Sequence, residues 1–173
     1  GSFVARHINV SRTGVAVQIN AFNFPVWGML EKFASAFLAG VPTIAKPATP
    51  TAYIAEAAVR TILASGLLPE GSLQFVAGDI TPIFGVLDEQ DSLAFTGSAA
   101  TAQSLRTISA VLERGVRFSA EADSLNAAVL APSAGPDTAE FGAFCDAVVS
   151  EMVAKAGQKC TAIRRVIVPD THL

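Results

Sequence analysis

The sequence has few of the residues that define several common protein classes. Its 173 residues include two cysteines and two histidines, so neither a disulfide framework nor a His/Cys metal cluster is expected. The formal net charge of −3 provides no basic surface for nucleic acid. Apolar runs are interrupted by glycine, proline or charge before they reach the length of a membrane span. Because no signal-peptide pattern opens the chain and free thiols suit a reducing compartment, we expect a cytoplasmic protein.

Hydrophobic residues, by contrast, make up 51% of the chain, which is typical of a globular protein with a substantial core. Strand-like runs alternate with helical patterns, and this alternation predicts an α/β fold with a mostly parallel, Rossmann-like sheet. After residue 121 the sequence pattern changes, and we place a domain boundary near residues 122–125. The predicted strands are 14–19, 41–46, 73–77, 92–96, 116–120, 126–131 and 165–168, and the predicted helices are 26–39, 51–65, 98–112 and 138–156, with a further short helix at 81–87.

Polar residues and glycines follow the predicted strands at the points where those strands end. Ligands of parallel α/β sheets bind at the carboxyl ends of the strands, so these positions form one candidate binding edge. A plain alternative exists for each, since strand ends also need solvated charges and turn residues. The residues are Asn23, Lys46, Gly78, Gly97 with Ser98, and Glu121.

Cys160 and Glu121 are the residues best suited to covalent chemistry. The thiolate is the reactive form of cysteine, and a carboxylate can serve as a general base. The amide of Asn23 could stabilise an oxyanion. The alternatives are an inert buried cysteine, a solvated carboxylate and a turn-forming asparagine. Cys145 fits the first alternative, because it lies among apolar residues of a predicted helix.

Six segments resemble, in their order and spacing, the motifs of the aldehyde dehydrogenase superfamily. Ala120 to Asn126 departs from the common Glu-Leu-Gly-Gly pattern and, with residues 17–30, is similar to the branch that oxidises CoA-linked semialdehydes in aromatic degradation. The six are Asn20-Ala21-Phe22-Asn23-Phe24-Pro25, Lys46-Pro47-Ala48, Gly66-Leu67-Leu68-Pro69-Glu70-Gly71, Phe95-Thr96-Gly97-Ser98, Glu121 and Gly157-Gln158-Lys159-Cys160.

The resemblance implies a role for each catalytic candidate. Cys160 would attack the aldehyde, the resulting adduct would lose a hydride to the cofactor, and the acyl group would remain on Cys160 as a thioester. Asn23 and the backbone N–H of Cys160 would hold the oxyanion. Glu121 would activate the water that releases the acid. Lys32 matches a lysine suggested to relay protons in relatives; a charge on the polar side of a helix explains it equally well.

The resemblance also implies a dinucleotide site without a Gly-x-Gly-x-x-Gly fingerprint. Lys46 would bind the adenosine ribose or its phosphate, while Gly97 and Ser98 would bring backbone close to the pyrophosphate at a helix N-terminus. Gly78 is a weaker candidate for the same neighbourhood. Thr49 stands where NAD-preferring relatives often carry Glu, and the loss of that carboxylate beside Lys46 favours NADP, with NAD possible.

Members of this superfamily run to several hundred residues, so we interpret the chain as a fragment. Residues 1–122 would be part of a dinucleotide-binding domain, and residues 123–173 the start of an α/β catalytic domain, with Cys160 and Glu121 on opposite sides of the cleft between them. The parent enzyme would be a homo-oligomer acting on a small-molecule aldehyde, with neither nucleic acid nor membrane as partner. We expect the fragment by itself to be inactive.

Three other functions stay open at this point. The chain could be a non-catalytic dinucleotide-binding module. It could belong to a dehydrogenase that transfers the acyl group to CoA, although such enzymes tend to lack the base that Glu121 would supply. It could be a thiol hydrolase using Cys160 and Glu121, although no histidine base is evident and Lys46 would then have no role.

Overall fold

The computed structural model describes residues 2–170, which form two compact units that divide between Ala122 and Asp123. The elements of the first unit are β1 (Ala16–Ile19), α1 (Trp27–Leu38), β2 (Thr43–Lys46), α2 (Ala52–Ala64), β3 (Leu73–Phe75), β4 (Ser92–Gly97), α3 (Ala99–Arg106), α4 (Ser109–Leu112) and β5 (Arg117–Ala122), with 3₁₀ turns at Thr49–Thr51 and Thr81–Gly85. Those of the second unit are β6 (Ala127–Val129), α5 (Ala139–Val153), a 3₁₀ turn at Ala154–Gly157 and β7 (Arg165–Ile167).

The first unit is built on a five-stranded sheet in the order β3-β2-β1-β4-β5. Every pairing in it is parallel, which confirms the predicted α/β class. The chain adds β2 and β3 on one side of β1 and then returns to place β4 on its other side. The order therefore reverses between β1 and β4, and in open α/β sheets ligands bind beside such a reversal.

The two faces of this sheet are packed by different helices. One face buries Val17, Leu93 and Phe95 against α3 and α4, forming one hydrophobic cluster. On the other face, α1 and α2 cover β2 and β3, with Met29 of α1 and Val59 of α2 in a second cluster. This division follows from strand geometry, because successive side chains of a strand point to opposite faces.

One predicted helix is interrupted in the structure. The sequence predicts a single helix over residues 98–112, but α3 ends at Arg106 and α4 begins at Ser109. Ile108 adopts extended backbone angles of φ −70° and ψ 148° and packs against the first cluster. The prediction of one helix is wrong because burying a β-branched side chain outweighs the helical continuity.

In the second unit, β6 and β7 pair in parallel, and α5 is capped by the hydroxyl of Thr138, which accepts from the N–H of Phe141 at 3.3 Å. The predicted helix over residues 138–156 is too long, since α5 ends at Val153. Lys155, Ala156 and Gly157 all have positive φ, which no right-handed helix tolerates. Among residues 2–170, no helix combines the length and hydropathy needed to cross a bilayer.

A buried carboxylate ties the start of β1 to the turn that precedes β4. Asp91 is only 8% exposed. One of its oxygens accepts from the N–H of Val15 at 2.7 Å, and the other accepts from the N–H of Asp88 at 2.8 Å. Gly14 is required at this crossing, since an added Cβ would lie 2.2 Å from the carbonyl oxygen of Gln90.

We expect Asp91→Ala to lower the free energy of unfolding of the first unit by about 2–3 kcal/mol, because it leaves two backbone donors in a poorly solvated turn without acceptors. Asp91→Asn, which keeps one acceptor oxygen, is expected to cost less. Urea unfolding followed by the fluorescence of Trp27, the single tryptophan, measures this unit. Equal stability of Asp91→Ala and the unmodified chain would contradict the proposed tie.

Candidate active site

The carboxyl ends of the strands gather several of the predicted residues at one edge of the first unit. Lys46 is the last residue of β2 and is in register with Ile19 of β1. Glu121 is paired with Thr96 across β4 and β5. The sequence places Gly97 and Glu121 just past their strands, but both lie within them, because β4 and β5 continue pairing to Gly97 and Ala122.

The loop that carries Asn23 is anchored next to Lys46. The N–H of Asn20 donates to the Lys46 carbonyl at 2.9 Å. The hydroxyl of Thr51 donates to the carbonyl of Phe22 at 3.1 Å. These bonds hold the backbone at Asn20 and at Phe22, so the loop that carries Asn23 lies beside the end of β2 at Lys46.

Gly97 and Ser98 connect β4 to α3 in a way that leaves little space. A Cβ at position 97 would lie 2.5 Å from the ring of Phe95, which is 5% exposed. Ser98 caps α3, since its hydroxyl oxygen accepts from the N–H of Thr101 at 3.2 Å. The arrangement presents the N-terminal backbone of an eight-residue helix at the carboxyl edge, where an anionic group is favoured.

Gly78 and Asp79 follow β3 beside the end of β2. Gly78 has a φ of +157°, a conformation that suits glycine. One oxygen of Asp79 accepts from the N–H of Thr81 at 2.9 Å and from its hydroxyl at 2.6 Å. These bonds from Thr81, with a lesser contribution from the positive charge of Lys46, lower the pKa of Asp79 against an opposing effect of desolvation. The sequence analysis did not identify Asp79 as a site residue.

Lys32 lies on a face of the sheet, away from its carboxyl edge. Its ammonium group donates to the carbonyl of Gly28 at 3.0 Å and is 3.5 Å from a carboxylate oxygen of Glu31. It lines a groove together with Gln18 and Ser119. Ser119 and Glu121 point to the same face of β5, because they are two residues apart.

The middle of this face holds polar side chains that are unusually well buried. Gln18 is 2% exposed and Asn20 is 4% exposed, and the amide of Asn20 donates to Gln18 Oε1 at 3.2 Å. Within the described chain, Gln18 Nε2, Asn20 Oδ1 and Thr96 Oγ1 have no hydrogen-bond partner. Polar residues at alternate positions of an apolar strand were the available sequence signal for Gln18 and Asn20, which had no assigned role.

Cys160 belongs to the second unit and occupies an exposed turn after α5. The N–H of Ala162 donates to the carbonyl of Lys159 at 3.2 Å, so Cys160 and Thr161 are the central residues of that turn. The ammonium group of Lys159 is 2.8 Å from a carboxylate oxygen of Glu151. Cys145 is half-buried in α5. An exposed thiol on a braced turn can reach a substrate, which a thiol inside a helix cannot do as readily.

The first unit thus has a parallel sheet with a polar carboxyl edge, and the second unit has an exposed thiol on a tight turn. Comparison with known proteins identifies the class. Residues 7–172 match the aldehyde dehydrogenase family, and the chain belongs to that family. The catalytic and cofactor roles of the individual residues stay predictions.

Three similar proteins define the relationship further. The chain is 50% identical over 167 residues to the 3,4-dehydroadipyl-CoA semialdehyde dehydrogenase of Aromatoleum evansii, covering 96% of this chain and 32% of that protein. It resembles proline utilization A of Bradyrhizobium japonicum with a TM-score of 0.79 and 31% identity, covering 92% of this chain and 16% of the other.

A structure of succinic semialdehyde dehydrogenase from Streptococcus pyogenes in complex with NADP⁺ has a TM-score of 0.79 at 22% identity. It covers 93% of this chain and 34% of that one, and at this identity it supports the fold alone. The chain spans about a third of the length of the curated relatives it matches.

The lowered pKa of Asp79 predicts a pH-dependent contribution to stability. A carboxyl group whose pKa is lowered by folding stabilises the folded state above its ordinary value of 3.8, and this contribution is lost as the pH falls through the folded-state value. We therefore expect the chain to melt at a higher temperature than Asp79→Asn at neutral pH, with the difference vanishing in stronger acid.

Thermal melts of both proteins across the acid range measure this difference. In a Thr81→Ala background the difference should shrink, because the hydroxyl donor to Asp79 is gone. A melting difference that stays constant from neutral to strongly acidic pH would show that the charge of Asp79 has no stabilising partner.

Proposed function

We propose that this chain belongs to an enzyme that oxidises a CoA-linked semialdehyde to the free acid, in the degradation of aromatic compounds. The observation that carries the proposal is the 50% identity, over 96% of the chain, to a protein named for a CoA-linked semialdehyde. The family match and the sheet's polar carboxyl edge support the oxidoreductase chemistry. The parent enzyme is proposed to be a cytoplasmic homo-oligomer, on the resemblance and the sequence composition.

The proposed reaction begins with Cys160. Its thiolate attacks the aldehyde carbon, and the resulting oxyanion is held by the side-chain amide of Asn23 and the backbone N–H of Cys160. A nicotinamide dinucleotide held by Lys46, Gly97 and Ser98 would supply the hydride acceptor, and loss of hydride from the Cys160 adduct would leave a thioester. Glu121 removes a proton from water, and the resulting hydroxide attacks the thioester carbon, which releases the acid and the Cys160 thiolate. Lys32 is proposed to carry protons away from Glu121, whose side chain shares its face of the sheet.

The carboxyl edge of the first unit fits a dinucleotide. The close approach of Gly97 to Phe95 leaves a side-chain-free backbone before α3, which suits contact with a pyrophosphate, as does Ser98 next to it in the chain. Gly78, which follows β3, is a weaker candidate for contact with the same cofactor. Lys46 is proposed to bind the adenosine ribose or its 2′-phosphate. Thr49, in place of an acidic residue, favours NADP as the first candidate. Asp79 favours NAD as the second candidate. Its carboxylate interacts electrostatically with Lys46, so it would repel a 2′-phosphate bound there.

The covalent mechanism predicts different defects for the two central residues. In the full-length protein, Cys160→Ala should abolish aldehyde oxidation. Glu121→Gln should retain a first burst of reduced cofactor and then slow steady-state turnover by about 10²–10³-fold, because only thioester hydrolysis needs the base. Stopped-flow absorbance of the reduced nicotinamide separates the two phases.

Cys145→Ala is the matched control and is expected to turn over like the unmodified enzyme. Full activity of Cys160→Ala would favour the non-catalytic dinucleotide-binding module instead. A strict requirement for free CoA, with a CoA ester as product, would favour the acyl-transferring dehydrogenase.

The cofactor assignment predicts that Thr49→Glu weakens NADP binding by about tenfold while leaving NAD binding nearly unchanged, since a new carboxylate beside Lys46 repels the 2′-phosphate. Lys46→Gln should weaken NADP more than NAD. Calorimetric titration of the full-length protein with each dinucleotide measures both effects without turnover. Thr61→Glu, on the exposed surface of α2, controls for net charge, and an equal loss of NADP there would contradict the assignment.

A further inference from the structure

The side chain of Asn126 holds the part of the loop that contains Cys160. The amide nitrogen of Asn126 donates to the carbonyl of Cys160 and, at 3.2 Å, to the carbonyl of Ala162. Carbonyl oxygens only accept hydrogen bonds, so the nitrogen of this amide must face both of them. Both of its N–H groups are therefore used on the loop, one at Cys160 itself and one two residues later.

The backbone of Asn126 fixes the other end of the same loop. Its carbonyl accepts from the N–H of Arg164 at 2.8 Å and from the N–H of Arg165 at 3.1 Å. The next pair in the chain, Ala127 with Arg165, opens the parallel β6–β7 ladder. Asn126 therefore stands where the loop enters the sheet, and the sheet gives it a fixed position from which its side chain reaches back.

The turn around Cys160 has hydrogen bonds of its own, and Asn126 adds one that these do not supply. The N–H of Ala162 closes the turn on the carbonyl of Lys159, and a guanidinium nitrogen of Arg164 donates to the carbonyl of Gly157 at 2.7 Å. These contacts set the outline of the turn. The bond from Asn126 to the Cys160 carbonyl fixes the peptide plane that follows the thiol, and this plane sets the direction of the Cys160 side chain.

We propose that Asn126 is a positioning residue for the Cys160 thiol. By holding the backbone carbonyl of Cys160, the amide of Asn126 orients the thiol for attack on a substrate. The inference rests on the proposed role of Cys160 as nucleophile. It adds a residue that acts on the thiol only through the backbone of Cys160. The partners are 34 residues apart, so no local sequence pattern marks the pair.

Two substitutions separate the geometric effect from an electrostatic one. Asn126→Ala removes both N–H donors and adds no charge. The turn keeps the hydrogen bonds that define its outline, but the peptide plane after Cys160 is no longer held in one orientation. Asn126→Asp is nearly isosteric, but its carboxylate faces two carbonyl oxygens and introduces a negative charge close to the thiol. That charge disfavours the thiolate, so the aspartate should impair reactivity more than alanine does.

The experiment uses the present chain with Cys145→Ser, which leaves Cys160 as its one thiol. The second-order rate of alkylation by iodoacetamide is measured as a function of pH. We expect the rate at neutral pH to fall about threefold in Asn126→Ala and about tenfold in Asn126→Asp. The midpoint of the pH profile should move upward in Asn126→Asp.

Thr138→Ala is the matched control, because it removes the cap of α5 in the same unit and none of the bonds of the Cys160 loop. It should lower thermal stability and leave both the rate and the pH midpoint unchanged. If both Asn126 variants alkylate like this control, the positioning role is refuted. If circular dichroism shows Asn126→Asp to be unfolded, Asn126→Ala decides.

The proposed function and this inference fail in distinguishable ways. The rate for Cys160 in the otherwise unmodified chain, compared with that of glutathione under the same conditions, tests whether the site activates its thiol. The ratio between variants tests the role of Asn126 alone. A thiol no more reactive than glutathione, with a clear difference between variants, would remove support for the nucleophile and leave the positioning contact standing.

Discussion

The parallel pairing of β1 with both β2 and β4 is the constraint on which the first unit depends. Because β1 is central and all its neighbours run in its direction, the loops that leave β1, β2 and β4 emerge at one edge. Asn23, Lys46 and Gly97 thus become neighbours of one edge although they are far apart in sequence. Asp91 supports this pairing from the opposite end, where its carboxylate joins the start of β1 to the turn before β4.

The second unit solves a different problem, which is to hold an exposed thiol still. Its small β6–β7 ladder supplies a rigid base, and Asn126 at the start of that base reaches the Cys160 loop with its side chain and its carbonyl. Positive φ values at Lys155, Ala156 and Gly157 end the helical path before the thiol. The nucleophilic role proposed for Cys160 would require such bracing, since an unbraced loop would spend little time in a reactive geometry.

Much of the fold follows from the periodicity of apolar residues, and each wrong prediction has an identifiable cause. The alternation of strands and helices, and the parallel class of the sheet, were predictable because apolar runs and helical spacing report directly on burial. The break between α3 and α4 was not, because Ile108 turns into a core whose shape only the packed sheet defines. In the candidate site, Lys46 and Gly97 were predicted to follow their strands, and the structure places them as the last residues of β2 and β4. Asp79 was not predicted as a site residue, since its lowered pKa depends on hydrogen bonds from Thr81 and on the charge of Lys46.

The sequence by itself determined the family, the alternating architecture and the residues suited to thiol chemistry, because motifs and periodic patterns are local properties of the chain. Tertiary structure alone decided which strand became central, where Lys32 points, and that Asn126 holds the Cys160 loop. Those outcomes depend on contacts between residues distant in sequence, such as the hydrogen bond from Asn126 to the Cys160 carbonyl, whose partners are 34 residues apart. Local propensity contains no information about such a contact, which is the physical reason the sequence could not supply it.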